Sequence, residues 1–277
     1  VLGSALGLTL IINIIFLSSS YQLSFAQIAQ GLIGLFIVYI SIKKIISKGF
    51  VDLVTSRRNR RYIFFLPFIT ISILFLYRLT INDLEGYLRR ISEGSLFEWL
   101  GFLFLLLASF LFLKSSSNDL GKTQRNILKI GAIILFLWSM EEMSWGQMIF
   151  NWGTPDLMNE INIQHETNIH NLKYIHDKSW IILLSIFSIF SALSIIGSYL
   201  RSCGKIRIGS SADILFPIGC TSSYFLVAAF IYLGVVLLKS GIYVPILHTR
   251  EQEVGELFFS LGIFIHSTNL YLSCSRS

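Results

Sequence analysis

Two adjacent carboxylic acids, Glu141 and Glu142, interrupt an apolar stretch that runs from residue 127 to residue 152. If this stretch is helical, a rise of about 1.5 Å per residue places both acids roughly 18 Å beyond Lys129, within a hydrocarbon layer of about 30 Å. A charged side chain there costs about 2.5 kcal/mol or more. The two acids must therefore face protein, water, a metal or each other, and we expect a functional site around them.

The neighbours of Glu142 on a helix are Trp138 and Trp145, which share its face, whereas Glu141 points about 100° away. One acid could then serve a site while the other pairs with a neighbouring side chain. The structural alternative is a buried hydrogen-bonded network with an arginine such as Arg78 or Arg250.

A second group of ionisable residues lies in the segment HETNIHN, residues 165–171. It differs from the zinc-protease motif HExxH, because its histidines are five residues apart and would diverge on a helix. Glu166 and His170 are four residues apart and could converge on one ion. The alternative interpretation is that this segment stabilises a loop through hydrogen bonds from its side chains to the backbone.

Two further acids stand near the starts of apolar stretches: Glu98 in 97–114 and Glu256 in 254–273. An acid near a helix N-terminus also complements the helix dipole, so Glu256 has a structural interpretation as well as a functional one. Carboxylate and imidazole ligands together suit Zn²⁺, Mn²⁺ or Fe²⁺. We therefore predict a divalent-metal site with Glu142, Glu166, His170 and Glu256 as ligands, and with Glu141 or Glu98 as the catalytic acid or base.

The rest of the chain predicts a helical membrane protein. Hydrophobic residues make up 53% of the 277 residues and charged residues only 14%, a balance typical of polytopic membrane proteins. We expect a single all-α transmembrane domain over residues 1–277, with about eight spans. The predicted spans are 2–19, 23–42, 62–80, 97–114, 128–150, 180–200, 214–238 and 254–273.

The distribution of basic residues predicts the orientation. Lys and Arg concentrate in the predicted loops 43–61, 114–129 and 201–212, and loops rich in these residues face the cytoplasm. Both termini are then cytoplasmic, and the protein is integral to the cytoplasmic (inner) membrane. The net charge of +6 therefore reflects topology and does not indicate nucleic-acid binding.

With this orientation the acids gather on the extracytoplasmic side. All aspartates and glutamates except Asp52, Asp119 and Asp213 fall in outer loops or in the outer halves of helices. The simpler explanation is that acids occupy the loops that lack Lys and Arg. The functional explanation is that they form one site there, because buried acids in membranes usually mark such sites.

The predicted outer loop 151–178 is long for a chain of this size, and long ordered loops often form lids or site walls. The Thr-Pro pair at 154–155 is typical of a helix start. We expect a short helix over 156–163 and a second over about 165–176. The loop is predicted to cover a polar pocket formed by the fourth, fifth and eighth spans.

Several of these motifs together resemble a family of uncharacterised bacterial multi-pass membrane proteins. Members tend to have Gly where this chain has His165 and Arg where it has Met148, which makes His165 a weaker candidate ligand. The family has no established activity, so the resemblance supports the choice of residues without implying a reaction. The motifs are EGSLFEWL at 93–100, EEMSWGQ at 141–147, Gly-Thr-Pro at 153–155, ETNIHN at 166–171 and the Glu-x-x-Glu pair at 253–256.

These observations support three hypotheses. The first is a membrane-embedded, metal-dependent hydrolase or transferase that acts on a lipid-borne or apolar substrate from the outer side. The second is a transporter or channel for cations or protons that binds them through the buried carboxylates. The third is a non-catalytic subunit whose acids pair with basic residues of a partner. The sequence has no P-loop, Rossmann fingerprint or G-x-S-x-G motif, and beyond the bilayer it identifies no partner.

Overall fold

The computed structural model describes residues 57–274 apart from 82, 92–93, 151, 208–209 and 246. The predicted spans 2–19 and 23–42 and most of the basic loop 43–61 lie outside the described residues. The architecture below belongs to the compact unit Arg61–Ser277. Within the described residues the chain is helical and has no β-strand, and an isolated bridge pairs Asn162 with Leu172.

Long helices joined by short helical turns make up the described chain. The turns Ser144–Gly146, Gly219–Thr221 and Thr249–Glu251 are 3₁₀-helical. The α-helices are α1 (Arg57–Thr80), α2 (Leu84–Ile91), α3 (Leu96–Ser115), α4 (Lys122–Glu142), α5 (Gln147–Phe150), α6 (Asp156–Ile161), α7 (Lys173–Ser202), α8 (Ser211–Leu215), α9 (Ser222–Lys239) and α10 (Gln252–Cys274).

Five helical stretches of the described chain are long and apolar enough to cross a membrane, which fits a polytopic membrane protein. Helix α4, which covers most of the predicted span 128–150, is not among them. The predictions of eight spans and of two cytoplasmic termini are therefore not confirmed. The five stretches are Asn59–Thr80, Leu84–Ser115, Lys178–Ser202, Ser211–Lys239 and Thr249–Cys274.

Helix α3 packs between α4 and α10, and α9 packs between α7 and α10. Phe259 of α10 lies where these helices meet. Its ring stacks on Trp138 of α4 at 5.0 Å and on Phe187 of α7 at 4.5 Å, and it also contacts Phe225 of α9 at 5.5 Å. Each such aromatic pair is worth about 0.5–1.5 kcal/mol beyond the area that it buries, so this cluster fixes the helices against one another.

The prediction of one continuous helix over 128–150 is wrong at its C-terminal end. Helix α4 ends at Glu142, and the next residues have left-handed backbones: φ is 45° at Ser144, 56° at Trp145 and 93° at Gly146. Such angles cost a non-glycine residue about 1–2 kcal/mol. Contacts with the loop after α6 stabilise this turn. These contacts cannot be predicted from the helix propensities of the residues in the turn.

The long loop also differs from its prediction. The first helix is shorter than 156–163, because α6 ends at Ile161, and the predicted helix 165–176 is wrong, because α7 begins only at Lys173. Asn162 explains the difference. Its side chain donates to the carbonyl oxygen of Asn168 at 2.8 Å and accepts from the N–H of Gln164 at 2.9 Å, so it occupies backbone groups that a helix would need.

A buried ion pair fixes the start of α10. Nη1 of Arg78 donates to both carboxylate oxygens of Glu251 at 2.8 Å, and the Glu251 side chain is only 1% exposed. The hydroxyl of Tyr87 donates to the same carboxylate at 3.3 Å. The pair therefore joins α1, α2 and the turn that leads into α10. Arg78, one of the arginines suggested as a partner for Glu142, pairs with Glu251 instead.

Candidate functional site

A small cavity at one end of the bundle is lined by ionisable side chains from distant parts of the chain. It has space of about 30 Å³, enough for roughly two water molecules or one ion. Among the described residues, no Lys or Arg lines it. Its carboxylates are therefore not balanced by a permanent positive charge. The acids and imidazoles that line it are Glu98, Glu142, Glu166, His170, His176, Glu253 and Glu256.

The predicted site residues come together in this cavity with one exception. Glu142 of α4, Glu256 of α10 and Glu98 of α3 line it, together with Glu166 and His170 from the loop between α6 and α7. Glu141 lies outside the lining and contacts it through His170, at 3.4 Å from Nδ1 of that ring to the carboxylate.

The carboxyl groups of Glu142 and Glu256 lie close enough together in the cavity to interact with each other. Nε1 of Trp138 donates to the Glu142 carboxylate at 3.1 Å, and the hydroxyl of Tyr232 donates to the Glu256 carboxylate. Two carboxyl groups in contact need a proton or a cation between them, because two negative charges repel strongly in a shielded site. The pair is thus a place where a cation could replace a proton.

Glu98 and Glu253 add negative charge beside this pair. Glu253 is 5% exposed and accepts a hydrogen bond from Nε2 of Gln252 at 3.0 Å. Glu98 accepts from the backbone N–H of Gly94 at 2.5 Å and so also stabilises the start of α3. Both carboxylates interact electrostatically with Glu142. Glu98 and Glu253 therefore each make a hydrogen bond that stabilises the local structure. Both also add to the negative charge of the cavity.

Glu141 positions the loop segment that carries His170. Its carboxylate accepts hydrogen bonds from the backbone N–H groups of Ile169 at 2.7 Å and His170 at 3.2 Å. Nε1 of Trp145 donates to it at 2.5 Å. Because Nδ1 of His170 faces this carboxylate, Nε2 is the nitrogen that can bind a ligand in the cavity, an arrangement common in metal sites.

The charge of His170 responds to this setting. Burial alone would lower the pKa of its imidazole, but the hydrogen bond with Glu141 and the negative charges of Glu256 and Glu141 outweigh that effect. The net result is a pKa raised above the ordinary histidine value. A cation that bound here would therefore compete with a proton on His170.

The left-handed turn after α4 holds Glu166. The hydroxyl of Ser144 donates to the Glu166 carboxylate at 2.6 Å, and Nδ2 of Asn168 donates to the same oxygen at 2.7 Å. The turn also redirects Trp145. A continuous helix would place Trp145 on the face of Glu142, but in the structure the indole of Trp145 donates a hydrogen bond to Glu141. Trp138 does bind Glu142, as its i−4 position predicts.

The predicted ligands do not form a ready coordination sphere. Among the described residues, no group of three His, Cys, Asp or Glu side chains is arranged so that it could hold a metal ion. Glu166 is bound to Ser144 and Asn168, and Glu256 to Tyr232. A metal would have to replace protein hydrogen bonds with ligand bonds.

Sequence reasoning missed several side chains of the cavity, among them Tyr232, Glu253 and His176. Tyr232 gives no signal, because an aromatic residue within an apolar helix is ordinarily a packing residue. Glu253 does have a signal, because it is three residues before Glu256 and shares its helical face. The helix dipole, however, gives both positions a structural explanation.

Comparison of the chain with known proteins gives no guidance about this site. No model of a protein family, no curated protein and no solved structure matches it. The resemblance suggested by the motifs stays a prediction. Function has to be argued from the side chains that line the cavity.

Proposed function

We propose that the protein is a membrane-embedded enzyme that binds a divalent cation between Glu142 and Glu256 and hydrolyses or transfers a group on a lipid-borne substrate. The observation that carries the proposal is a shielded cavity with five carboxylates and two imidazoles but no lysine or arginine among its described lining residues. Such a site attracts cations, and its oxygen and nitrogen ligands suit Zn²⁺, Mn²⁺ or Fe²⁺.

The donors around the acids support a binding role. Trp138 donates to Oε1 of Glu142 and Tyr232 donates to Oε1 of Glu256, which leaves Oε2 of each acid for the ion. Glu166 and the Nε2 atom of His170 are the remaining proposed ligands. When bound, the cation would supply Lewis-acid catalysis and lower the pKa of a bound water.

The proton for the reaction would come from the chain itself. Glu98 lies in the cavity wall without being one of the proposed ligands, so it is a candidate general acid or base. Glu141 would act indirectly, because it contacts His170 and the loop backbone and lies outside the cavity lining. Its role would be to orient the imidazole.

The size of the cavity supports an external substrate. About 30 Å³ admits an ion and a water molecule but no lipid head group. The scissile bond must therefore meet the site at its mouth. The loop beside the mouth exposes apolar side chains, with Trp152, Ile163 and Ile169 each between 43% and 49% exposed, and such a surface suits an apolar substrate.

A cation or proton transporter is the second candidate, and the interacting pair of Glu142 and Glu256 is the observation that favours it. Transport needs a path to the opposite side. One helical turn deeper than the pair, the stacked rings of Trp138 and Phe259 fill the space between α4 and α10. This aromatic packing supports the enzyme over the transporter.

Metal analysis of the purified protein tests the proposal. We expect a stoichiometric divalent ion, lost in the double variant Glu142→Gln/Glu256→Gln and kept in Glu160→Gln, an exposed acid on α6 outside the cavity. Lack of metal in the unchanged protein, together with identical melting curves with and without a chelator, would contradict it. Cation flux into proteoliposomes that is abolished by Glu142→Gln would favour the transporter.

A further inference from the structure

A second hollow lies at the other end of α4. It is an open groove with space of about 490 Å³, formed by the last turn of α3, the connection to α4 and the first turns of α4. Lys129, the groove residue nearest to Glu142 along α4, lies about 20 Å from it by helical rise. Among the described residues none lines both hollows, so the groove is separate from the acid cavity.

The groove is suited to an anion. Arg125 and Lys129 line it from the same face of α4, one turn apart. Nη2 of Arg125 donates to the carbonyl oxygen of Leu120 at 3.1 Å, which holds the guanidinium at the groove and leaves its other N–H groups for a ligand. Asp119 also lines the groove, so the two cations exceed the acid charge among the described lining residues by one.

A buried donor points to the same kind of ligand. The Nδ2 atom of Asn118 is buried and has no hydrogen-bond partner among the described residues, and Asn118 lines the groove. A buried amide N–H without an acceptor is unfavourable. A rotation of the Asn118 side chain that brings this amide into the groove would let it donate to a bound oxyanion.

The surface beside the groove indicates where the anion comes from. On α4 the face of Arg125 and Lys129 continues, one turn at a time, into Ile133 and Leu137, which are 59% and 44% exposed. Two cations followed by two exposed apolar side chains on one stripe match a molecule with a charged head and an acyl chain. A free anion would gain nothing from the apolar half.

We propose that this groove binds the phosphate of an anionic phospholipid head group, with Arg125, Lys129 and Asn118 as its contacts. The acyl chain would lie along Ile133 and Leu137. The site does not depend on the proposed enzymatic function, because none of its residues lines the acid cavity.

Lipid binding to delipidated protein in detergent tests this proposal, with phosphatidylglycerol, phosphatidylcholine and inorganic phosphate as separate probes. We expect phosphatidylglycerol to bind more tightly than either of the others. The double variant Arg125→Gln/Lys129→Gln should weaken its binding by roughly 30-fold, from about 1 kcal/mol for each basic residue. The matched control, Lys114→Gln/Lys122→Gln, removes one cation from the last turn of α3 and one from the first turn of α4, neither of which lines the groove. It should bind nearly as the unchanged protein does.

The apolar half of the site has its own variant. Ile133→Ser/Leu137→Ser should weaken phosphatidylglycerol binding and leave the binding of inorganic phosphate unaffected. Equal affinity for phosphatidylglycerol and phosphatidylcholine would overturn the site. So would an equal loss of phosphatidylglycerol affinity in Arg125→Gln/Lys129→Gln and in its control Lys114→Gln/Lys122→Gln. Inorganic phosphate binding as tightly as phosphatidylglycerol would overturn the lipid as its ligand. Circular dichroism of each variant confirms that the helices are retained.

Discussion

Glu142 of α4 and Glu256 of α10 line one cavity, and their carboxyl groups interact with each other there. The two residues come from helices that are distant in sequence. The indole of Trp138 donates to the first carboxyl group and the hydroxyl of Tyr232 donates to the second. The proposed cation site depends on this acid pair.

The acid pair itself gives the first prediction. Glutamine at position 142 can still accept the hydrogen bond from Trp138 and can donate its own N–H to Glu256, so no proton or cation is needed between them. With divalent ions removed, we expect Glu142→Gln to leave the free energy of unfolding within about 1 kcal/mol of the unchanged protein. Glu142→Leu, which leaves Trp138 without an acceptor, should lower it by about 1–3 kcal/mol. Thermal unfolding in chelator measures both, and a large loss of stability in the glutamine variant would contradict the shared proton.

The ion pair of Arg78 and Glu251 gives the second prediction. Removal of one partner from a buried pair leaves an uncompensated charge and costs about 3–5 kcal/mol. We expect Arg78→Met to destabilise the protein by about that amount and to weaken metal binding, because the start of α10 positions Glu253 and Glu256.

The control for this pair is Arg250→Met, since Arg250 is exposed and lies next to Glu251. Denaturant unfolding should show little change for this variant. A double variant, Arg78→Met/Glu251→Leu, should recover part of the lost stability. If Arg78→Met and Arg250→Met had the same effect, the pair would not anchor α10.

The turn after α4 gives the third prediction. Gly146 has φ of 93°, and a Cβ atom there would lie 3.2 Å from the ring of Trp152 and 3.3 Å from that of Phe150. We expect Gly146→Ala to cost about 1–2 kcal/mol and to speed hydrogen exchange at Ser144 and in the loop that carries Glu166.

Gly153→Ala is the matched control for this substitution, because Gly153 has no positive φ and a Cβ atom there would meet nothing within 4 Å. Its stability should be unchanged. Equal stability of the two alanine variants in thermal unfolding would show that the left-handed turn does not constrain the site.

The fourth prediction concerns pH. The pKa of His170 is raised in the folded protein, with burial opposed by the hydrogen bond to Glu141 and by nearby negative charge. The protonated imidazole therefore stabilises the fold below the unfolded-state pKa of about 6.5, and this contribution is lost as pH rises through the higher folded-state pKa. Metal affinity should change in the opposite direction and increase over the same range, because a protonated imidazole cannot be a ligand.

The variant Glu141→Gln tests this explanation. Without the carboxylate, the pKa of His170 should fall, and the rise in metal affinity should begin at lower pH. Titration of the His170 ring by NMR measures the shift. An unchanged His170 titration in this variant would show that Glu141 does not control the imidazole.

Much of the cavity followed from sequence because a buried acid in an apolar helix is costly wherever the helix lies. That cost identified Glu142 and Glu256 without knowledge of the fold. Glu166 and His170 followed from their spacing, although the helix assumed for them is absent. The sequence therefore predicted which side chains line the cavity, but it did not predict the backbone conformation of the segment that carries Glu166 and His170.

The errors have a common physical cause. The turn at Ser144 exists because its hydroxyl binds Glu166, a residue in a separate segment of the chain. The loop around Asn162 exists because an amide side chain replaces helical hydrogen bonds. Both depend on contacts that local preference does not contain, and Tyr232 became part of the site only through the packing of α9 on α10.

Calorimetric titration of the metal-free protein with Mn²⁺ or Zn²⁺, in two buffers of different ionisation enthalpy, tests the central claim most directly. It measures the ion bound and the protons released together. We predict saturable binding with proton release, abolished in Glu142→Gln/Glu256→Gln and retained in Glu160→Gln. Absence of binding, or equal binding by the double variant and the unchanged protein, would contradict a cation site between Glu142 and Glu256.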